Sequence, residues 1–504
     1  MKNPVFFETL NRNHYLYSPY RNQLRLCHPL IPWFHTQEPG KNGIQQWLQE
    51  AKQAGSASIP GTDSFSWHEI EYQFSKYRFL RKHGFFKPAR MINLKGRLKP
   101  SDIRDNLAHV KQIIFEVTED CNLCCDYCTY SKFYLNKPRA NRSLRFEDAR
   151  HTLRALINKR TPSPLNQLII SFYGGEPLKN FPFIRSVVEF TRQVQPGTCS
   201  FRFTMSSNGL LLKKYIGFLV DHSFELSVSL DGDAFANSFR VTRNRKPSFD
   251  LVTGNLDHIK KTYPEYFEKY ISFLTVMHNR NSYQTIHRFF MERYGKLPMI
   301  SDINAVNLDP CHEAEFRKTF RSDPVRDKNE SLTTRLYKTR SPRVRDMSNM
   351  IEHYSGFVFK NFFEMFAPGP GKPATKKFIP TATCTPFSIR AYFTADGGIM
   401  PCEHISRFHE IASYAGDRLH VRPREIARLY NRYYDKISVF CSKCYFSDNC
   451  KECIFNTGIE TSRPVCEYYM REPKFREYLS QKYSELEKQF RFHQKMTRDA
   501  IRQE

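Results

Sequence analysis

The chain has 504 residues, of which 40% are hydrophobic and 14% aromatic, a composition that predicts a globular protein of two to four domains. Its formal net charge is +26, but the 77 Lys and Arg residues are scattered and form no stripe interleaved with stacking aromatics, so we expect no nucleic-acid partner. Neither a run of about eighteen apolar residues nor a signal segment is found, which predicts a cytoplasmic protein without a membrane partner.

The first part of the chain, residues 1–108, predicts a small α+β domain. Short alternating segments at 6–10 and 13–18 indicate a β-hairpin. Two helical patterns follow at 43–52 and 68–82, where apolar residues recur three and four positions apart.

The second part, residues 109–310, alternates strand and helix patterns, which is typical of a parallel sheet with right-handed crossovers. The strands are predicted at 112–118, 167–173, 202–206, 225–230, 270–277 and 300–308. The intervening helices are predicted at 146–158, 182–194, 213–222, 249–261 and 283–294. Six such units predict an α/β fold, a partial (βα)6 TIM-like barrel, in which ligands bind at the carboxyl ends of the strands.

The remaining chain divides by composition. Residues 311–380 predict a plain linker in preference to a substrate-facing insertion, with an apolar helix at 350–366. Residues 381–470 form a cysteine-rich domain, and residues 471–504 predict a basic C-terminal helix.

A CxxxCxxC loop follows the first barrel strand, with Cys121, Cys125 and Cys128 as its spaced thiols. Three thiolates on so short a loop can hold three corners of a four-iron cluster and leave the fourth iron open to a reactant. A zinc site or buried free thiols are the alternatives, and Cys124 is interpreted as a spare thiol.

With the motifs downstream of it, this loop resembles the radical S-adenosylmethionine (SAM) superfamily. In that family the cluster binds SAM, reduces its sulfonium and releases a 5′-deoxyadenosyl radical. The resemblance implies a pocket for SAM at the strand ends. Its implied residues are Gly174, Gly175 and Glu176 for the methionine amino group, Ser207 and Asn208 beside the ribose, Ser229 and Asp231 in the wall, Arg240 for the carboxylate, and Tyr127 near the adenine.

This chain departs from the family pattern at two positions. Ser207 replaces the usual Thr, and Ala236-Asn237 stands where the family often has His-Asp before the arginine. The second departure leaves Arg243 or Arg245 as alternatives to Arg240.

A second group of seven cysteines closely resembles the SPASM domain, which carries auxiliary 4Fe-4S clusters in radical SAM enzymes that modify peptides and proteins. The resemblance implies two clusters. Their ligands would be Cys384, Cys402 and Cys453 for the first and Cys441, Cys444, Cys450 and Cys466 for the second. The first then lacks a fourth cysteine, and a zinc ribbon is the alternative for the CxxC pairs.

Three further residues complete the predictions. Glu403 directly follows Cys402, where sulfatase maturases carry an acidic residue that acts on the substrate proton, so it is a candidate catalytic base; a surface carboxylate is the simpler interpretation. Cys27 and Cys199 fall outside every motif and are interpreted as core thiols.

These resemblances together imply a radical SAM/SPASM peptide maturase, similar to Bacteroidetes enzymes that act on precursors with a Gly-Gly leader. The expected partners are a ribosomally made precursor peptide and a reductant such as flavodoxin or ferredoxin. In outline, the amino-terminal domain resembles winged-helix modules that bind a leader peptide as an added strand, although a structural appendage explains the same pattern.

Two other functions fit part of the sequence. The first is an anaerobic sulfatase maturase that forms formylglycine, which the amino-terminal domain and the missing upstream cysteine disfavour. The second is a zinc-bearing basic nucleic-acid-binding protein, which does not explain Gly174 to Pro177.

Overall fold

The computed structural model describes residues 2–37, 41–89, 97–135, 141–158, 160, 167–193, 200–304, 308–320, 381–415, 418–447, 450, 452–466 and 468–488. The chain divides into two compact units. The first comprises the described parts of Met1–Gly96, Asn329–Ala382 and Tyr434–Glu504. The second comprises those of Arg97–Lys328 and Thr383–Tyr433. The predicted helix at 350–366 lies outside the described residues.

Strands and helices are numbered separately in chain order over the described residues. The strands are β1 (Val5–Glu8), β2 (His14–Ser18), β3 (Gln23–Cys27), β4 (Ser56–Ala57), β5 (Phe65–Ser66), β6 (Gln112–Thr118), β7 (Gln167–Gly174), β8 (Ser200–Ser207), β9 (Glu225–Ser229), β10 (Ile271–Met277), β11 (Met299–Asp302), β12 (Arg390–Phe393), β13 (Gly398–Met400), β14 (Ala412–Ala415) and β15 (Arg418–Val421). The helices are α1 (Leu30–Gln37), α2 (Lys41–Ala54), α3 (Trp67–Lys82), α4 (Pro100–Ala108), α5 (Phe146–Asn158), α6 (Phe181–Arg192), α7 (Leu212–Asp221), α8 (Phe249–Thr262), α9 (Pro264–Tyr270), α10 (Tyr283–Tyr294), α11 (Glu313–Phe320), α12 (Pro423–Cys441) and α13 (Glu472–Lys488).

The first unit contains an antiparallel three-stranded sheet in the order β1-β2-β3. The predicted hairpin is confirmed by the pairing of Val5 with Tyr17 through Glu8 with His14. Because side chains alternate between the faces of a strand, Phe6 and Leu16 pack with the helices α1 and α3, whereas their neighbours face the other way. The sheet therefore has a hydrophobic core on each face.

The core on the second face brings the two ends of the chain together. Phe475, Leu479 and Tyr483 recur every four residues along α13 and are fully buried. They pack with Phe7 and Leu24 of the sheet. Burial of each such side chain stabilises the fold by about 1.5–3 kcal/mol. The C-terminal helix thus belongs to the same compact unit as the amino-terminal sheet.

The second unit is built on a ten-stranded sheet in the order β11-β10-β9-β8-β7-β6-β12-β13-β14-β15. Neighbouring strands from β6 to β11 are parallel, and helices connect them, so the predicted α/β partial barrel is confirmed. Three predicted elements, 112–118, 146–158 and 283–294, have the same bounds in the structure. The prediction for the last strand was too long, because β11 ends at Asp302.

The sheet continues beyond the barrel strands. Strand β12 pairs in parallel with β6, joining Arg390 to Gln112, and β13, β14 and β15 follow as an antiparallel meander. None of these four strands was predicted. Among the described residues, no helix is both long enough and apolar enough to cross a membrane.

Candidate active site

The CxxxCxxC loop begins just after β6, at the carboxyl end of the parallel sheet. Burial raises the pKa of the Cys125 thiol to about 12. The Arg240 charge lowers this pKa, and the Cys128 and Cys121 thiols raise it further. The three thiols are therefore neighbours. None of the three forms a disulfide bond, and Cys124 is exposed. The loop thus brings together the three thiols predicted as ligands.

The segment after β9 holds this loop by its backbone. The Cys124 amide donates to the Val241 carbonyl at 2.7 Å, and the Asp126 amide donates to the Phe239 carbonyl at 3.0 Å. These bonds run on both sides of Cys125, so the protein itself organises the loop.

Two arginines from the same segment bind the loop. Arg243 donates from Nε to the Cys121 carbonyl at 2.9 Å and pairs with Asp120. Arg245 pairs with Asp126 at 2.6 Å. Both guanidinium groups, the predicted alternatives to Arg240, are therefore engaged with the cysteine loop.

The end of β7 packs directly against the start of this loop. The Gly175 amide donates to the Thr118 carbonyl at 2.7 Å, and the Glu176 amide donates to the Asp120 carbonyl at 2.9 Å. A side chain at Gly174 would clash with the Thr118 carbonyl, and one at Gly175 would clash with the Asp120 carbonyl. Gly174 also has φ +121°, which only glycine adopts readily. The paired glycines are thus required by the approach of two backbones.

We expect Gly175→Ala to displace the cysteine loop, because its Cβ would occupy the place of a backbone oxygen. The expected loss is about 1–3 kcal/mol in the free energy of unfolding, with less iron retained at the loop. Urea unfolding and iron analysis measure both. Gly217→Ala on α7 is the matched control, because its Cβ meets no atom within 4 Å and alanine favours a helix. Equal behaviour of the two variants would contradict the prediction.

Glu176 is fully buried and links the ends of β7 and β8. Its carboxylate accepts from the Asn208 amide at 2.8 Å, the Ser207 hydroxyl at 3.0 Å and the Leu178 amide at 3.2 Å. The Asn208 side chain reaches the Cys121 sulfur at 3.6 Å. Predicted pocket residues from two strands are therefore in contact with each other and with the cysteine loop.

Burial raises the pKa of Glu176 to about 7 from 4.5, although its three donors act in the opposite direction. The folded protein then holds a proton that the unfolded chain releases between pH 4.5 and 7, so stability falls as the pH rises through this window. At about 1.4 kcal/mol per pKa unit, the free energy of unfolding falls by roughly 3 kcal/mol across this window.

Glu176→Gln should remove that difference. We expect the variant to match the wild type near pH 4.5 and to exceed it in unfolding free energy above pH 7, measured by urea unfolding of protein without SAM. A wild type whose stability rises relative to the variant across this window would contradict the assignment.

Asp231 is the centre of a buried polar cluster after β9. It accepts Arg240 Nε at 2.9 Å and Nη2 at 3.0 Å, and it accepts the Tyr127 hydroxyl. His278 Nε2 lies 3.7 Å from the same carboxylate. Burial alone would raise the pKa of Asp231, but Arg240 and the hydrogen bonds lower it to about 2. The carboxylate is thus ionised, and sequence reasoning missed His278 because nothing marked it as part of this cluster.

This cluster changes the interpretation of two predicted residues. Arg240 uses two of its donors on Asp231, so only Nη1 is without a partner among the described residues. Tyr127 is buried and makes T-shaped ring contacts with Phe239 and Phe320. Both act in the protein interior, and their roles toward SAM stay predictions. Ser229 ends β9, and its hydroxyl makes no hydrogen bond within the described structure.

A second buried charge cluster was not predicted. Glu116 on β6 is fully buried and accepts Arg407 Nη2 on both oxygens at 2.6 Å, the Tyr130 hydroxyl at 2.5 Å and the Ala395 amide at 2.9 Å. Arg407 also pairs with Asp396 at 3.0 Å. The cluster ties the β12–β13 turn to the segment after the cysteine loop, and no sequence motif marks these residues.

Glu403 follows Cys402 at the end of β13. It pairs with Arg390 at 2.7 Å and with His404 at 3.3 Å. Burial raises the pKa of Glu403, but His404 and Arg390 outweigh it and leave the pKa below its usual range. The group is therefore an ionised carboxylate, and its catalytic role stays a prediction. The Cys384 and Cys402 thiols both help to raise the pKa of the Arg390 guanidinium.

Four other cysteines line one small pocket in the first unit. They are Cys441, Cys444, Cys450 and Cys466. Burial raises the pKa of Cys441 to about 12, and the other three thiols add to this effect. The structure thus brings together the four residues that the SPASM resemblance groups as one ligand set.

Cys453 lies in the first unit, whereas Cys384 and Cys402 lie in the second. It precedes a 3-10 helix at Ile454–Thr457, and its amide donates to Glu452 at 3.0 Å. The ligand role predicted for these three residues stays a prediction.

The donor sets fit iron–sulfur chemistry. Soft thiols converge at the loop and in the four-cysteine pocket, and none of the described cysteines is bound in a disulfide. A 4Fe-4S cluster bound by cysteine alone needs four thiolate ligands, and the loop offers three.

Comparison with known proteins identifies one domain of the chain. The family model of the radical SAM superfamily matches residues 115–290, from β6 to α10. Residues 115–290 form a radical SAM domain. Its cofactors are SAM and a 4Fe-4S cluster, as predicted, while the number of further clusters stays a prediction.

Three relatives are similar to part of this chain. An uncharacterized protein of Methanocaldococcus jannaschii is 30% identical over 34% of this chain and 54% of its own length. A cysteine-type anaerobic sulfatase-maturating enzyme of Clostridium novyi is 24% identical over 51% of this chain and 61% of its own. A radical SAM cyclopropyl synthase of Paramaledivibacter caminithermalis is 23% identical over 44% and 45%. The chain therefore spans about half the length of the relatives it matches.

Proposed function

We propose that this chain is a radical SAM enzyme that cleaves SAM reductively and oxidatively modifies or crosslinks a ribosomally made precursor peptide. The observation that carries the proposal is the packing of the three-cysteine loop against the Gly174-Gly175 turn, Asn208 and Asp231 at one end of the sheet. Similarity to an enzyme that matures a sulfatase supports a polypeptide as the substrate.

Cys121, Cys125 and Cys128 would hold the 4Fe-4S cluster, which when bound with SAM supplies the electron that breaks a carbon–sulfur bond of SAM. The chain's own residues prepare the site for this chemistry. The buried Glu176 offers a carboxylate whose ionisation an ammonium group favours, and it fixes Asn208 beside Cys121.

Other residues exclude water and hold the loop still. Phe133, Phe316 and Phe320 form an aromatic cluster with Tyr127 and Phe239 on the cysteine loop. Because each ring is buried, the cluster keeps solvent from the loop around Tyr127. A dry, rigid site favours hydrogen abstraction from substrate over side reactions.

The amino-terminal sheet is proposed to bind the precursor's leader as an added strand. Within the described residues β3 pairs with β2 alone, so its outer edge can receive a strand. Helix α3 runs beside this edge, as His28 contacts Glu69 at one end and Arg25 stacks on Phe85 near the other.

Exposed side chains of β3 and α3 have the chemistry for a peptide. Leu26, Tyr72 and Phe79 expose half or more of their surface, at 50%, 62% and 58%. Arg78 and Lys82 follow on α3, so an extended peptide with apolar and acidic side chains suits this edge better than a basic one.

The test is anaerobic incubation of reconstituted enzyme, SAM and a reductant with the precursor peptide encoded beside its gene, followed by mass spectrometry. We expect 5′-deoxyadenosine and a precursor mass lowered by hydrogen loss. A precursor without its leader should react much less. A cysteine-type sulfatase peptide is run beside it, and formylglycine in that peptide alone would replace the proposal by sulfatase maturation.

A further inference from the structure

Lys2 is buried beside the four-cysteine pocket, a place where lysine is seldom found. It is 4% exposed, and its backbone is fixed by two 3.0 Å hydrogen bonds with Ala89. Its ammonium donates to the Ser447 hydroxyl at 2.6 Å. Ser447 is 3% exposed and lines the pocket with Cys441, Cys444, Cys450 and Cys466.

The direction of this hydrogen bond decides where the hydroxyl proton can go. An ammonium has three donors and no acceptor, so Ser447 cannot donate to Lys2. No acceptor for the Ser447 hydroxyl is found among the described residues. The cysteine sulfurs that line the same pocket can accept this proton, and a donor polarised by a cation forms the stronger hydrogen bond.

The surrounding contacts hold this arrangement in place. The Asn3 amide donates to the Tyr445 hydroxyl at 2.8 Å, and the Ser447 amide donates to the Cys444 carbonyl at 3.3 Å. Val5 and Phe7 pack with Cys444 in one hydrophobic core. The position of the Lys2 charge is therefore set by the folded sheet.

We propose that Lys2, acting through Ser447, raises the reduction potential of the auxiliary cluster held by Cys441, Cys444, Cys450 and Cys466. One-electron reduction adds a negative charge to the cluster, and a fixed cation with a hydrogen-bond donor stabilises the reduced form. Lys2 and Ser447 are positioning residues in this role. The inference rests on the proposed function, since it needs a cluster in the pocket.

The experiment uses full-length, anaerobically reconstituted protein in which Cys121, Cys125 and Cys128 are alanine, so that only auxiliary clusters remain. Iron and sulfide are counted, and midpoint potentials are measured by titration monitored with electron paramagnetic resonance. Lys2→Met and Ser447→Ala should each shift one signal to a more negative potential at unchanged iron content. Lys2→Arg keeps the positive charge, so its midpoint potential should stay close to that of the parent protein.

Lys436→Met is the matched control. Lys436 belongs to the same unit and donates to backbone carbonyls at Ile459 and Thr461, so its loss removes a charge without touching the pocket wall. Unchanged potentials in both Lys2→Met and Ser447→Ala, with all iron retained, would overturn the inference and leave the proposed function intact. A triple-alanine parent that binds zinc in place of iron would overturn the inference alone, whereas a wild-type chain that binds zinc and no iron would overturn both.

Discussion

Replacing Cys121, Cys125 and Cys128 together by alanine will abolish SAM cleavage, with no 5′-deoxyadenosine above background. These thiols are the ligands that the loop is predicted to supply, and the fourth iron must stay open for SAM to bind. The wild type should contain roughly twelve iron atoms per chain if three 4Fe-4S clusters form, and the variant roughly four fewer.

Anaerobic reconstitution with iron and sulfide analysis measures both quantities. Cys124→Ala is the matched control, because this exposed thiol lies in the same loop and is predicted to be a spare. It should retain both iron and activity. Full SAM cleavage by the triple variant would refute the ligand assignment, whereas loss of activity in Cys124→Ala would show that the loop uses a different set of thiols.

Asp231→Asn is expected to destabilise the radical SAM domain by about 3–5 kcal/mol. The change leaves the buried Arg240 charge without its counter-ion, and an unpaired buried charge costs far more than the pair contributes. It also weakens the anchor of Tyr127, which lies between two cysteines of the loop. We therefore expect reduced iron at the loop together with the loss in stability.

Urea unfolding at neutral pH measures the first effect and iron analysis the second. Asp257→Asn is the control, since its partner Arg293 lies near the surface and such pairs contribute less than about 1 kcal/mol. The double variant Asp231→Asn/Arg240→Gln should recover part of the stability, because it removes the stranded charge. A small effect of Asp231→Asn alone would show that solvent reaches Arg240.

The two buried charge clusters illustrate what the tertiary fold adds. Asp231 and Arg240 were predicted as contacts for SAM, and in the structure they are first of all partners of each other. Glu116 and Arg407 are 291 residues apart in sequence and were not predicted at all. Neither pairing follows from local patterns, because ion pairs between distant residues depend on how the elements pack.

The sequence by itself determined the alternation of strands and helices from 112 to 294, because apolar periodicity records which face of each element is buried. It also determined the cysteine loop and the Gly174-Gly175 turn, since chemistry and close backbone approach restrict those positions to particular residues. The tertiary structure alone decided that strands β12–β15 extend the sheet and that β1 and α13 share a core. It also placed Lys2 beside cysteines more than 400 residues away. These contacts join segments that carry no local signal for one another, so only the packed chain brings them together.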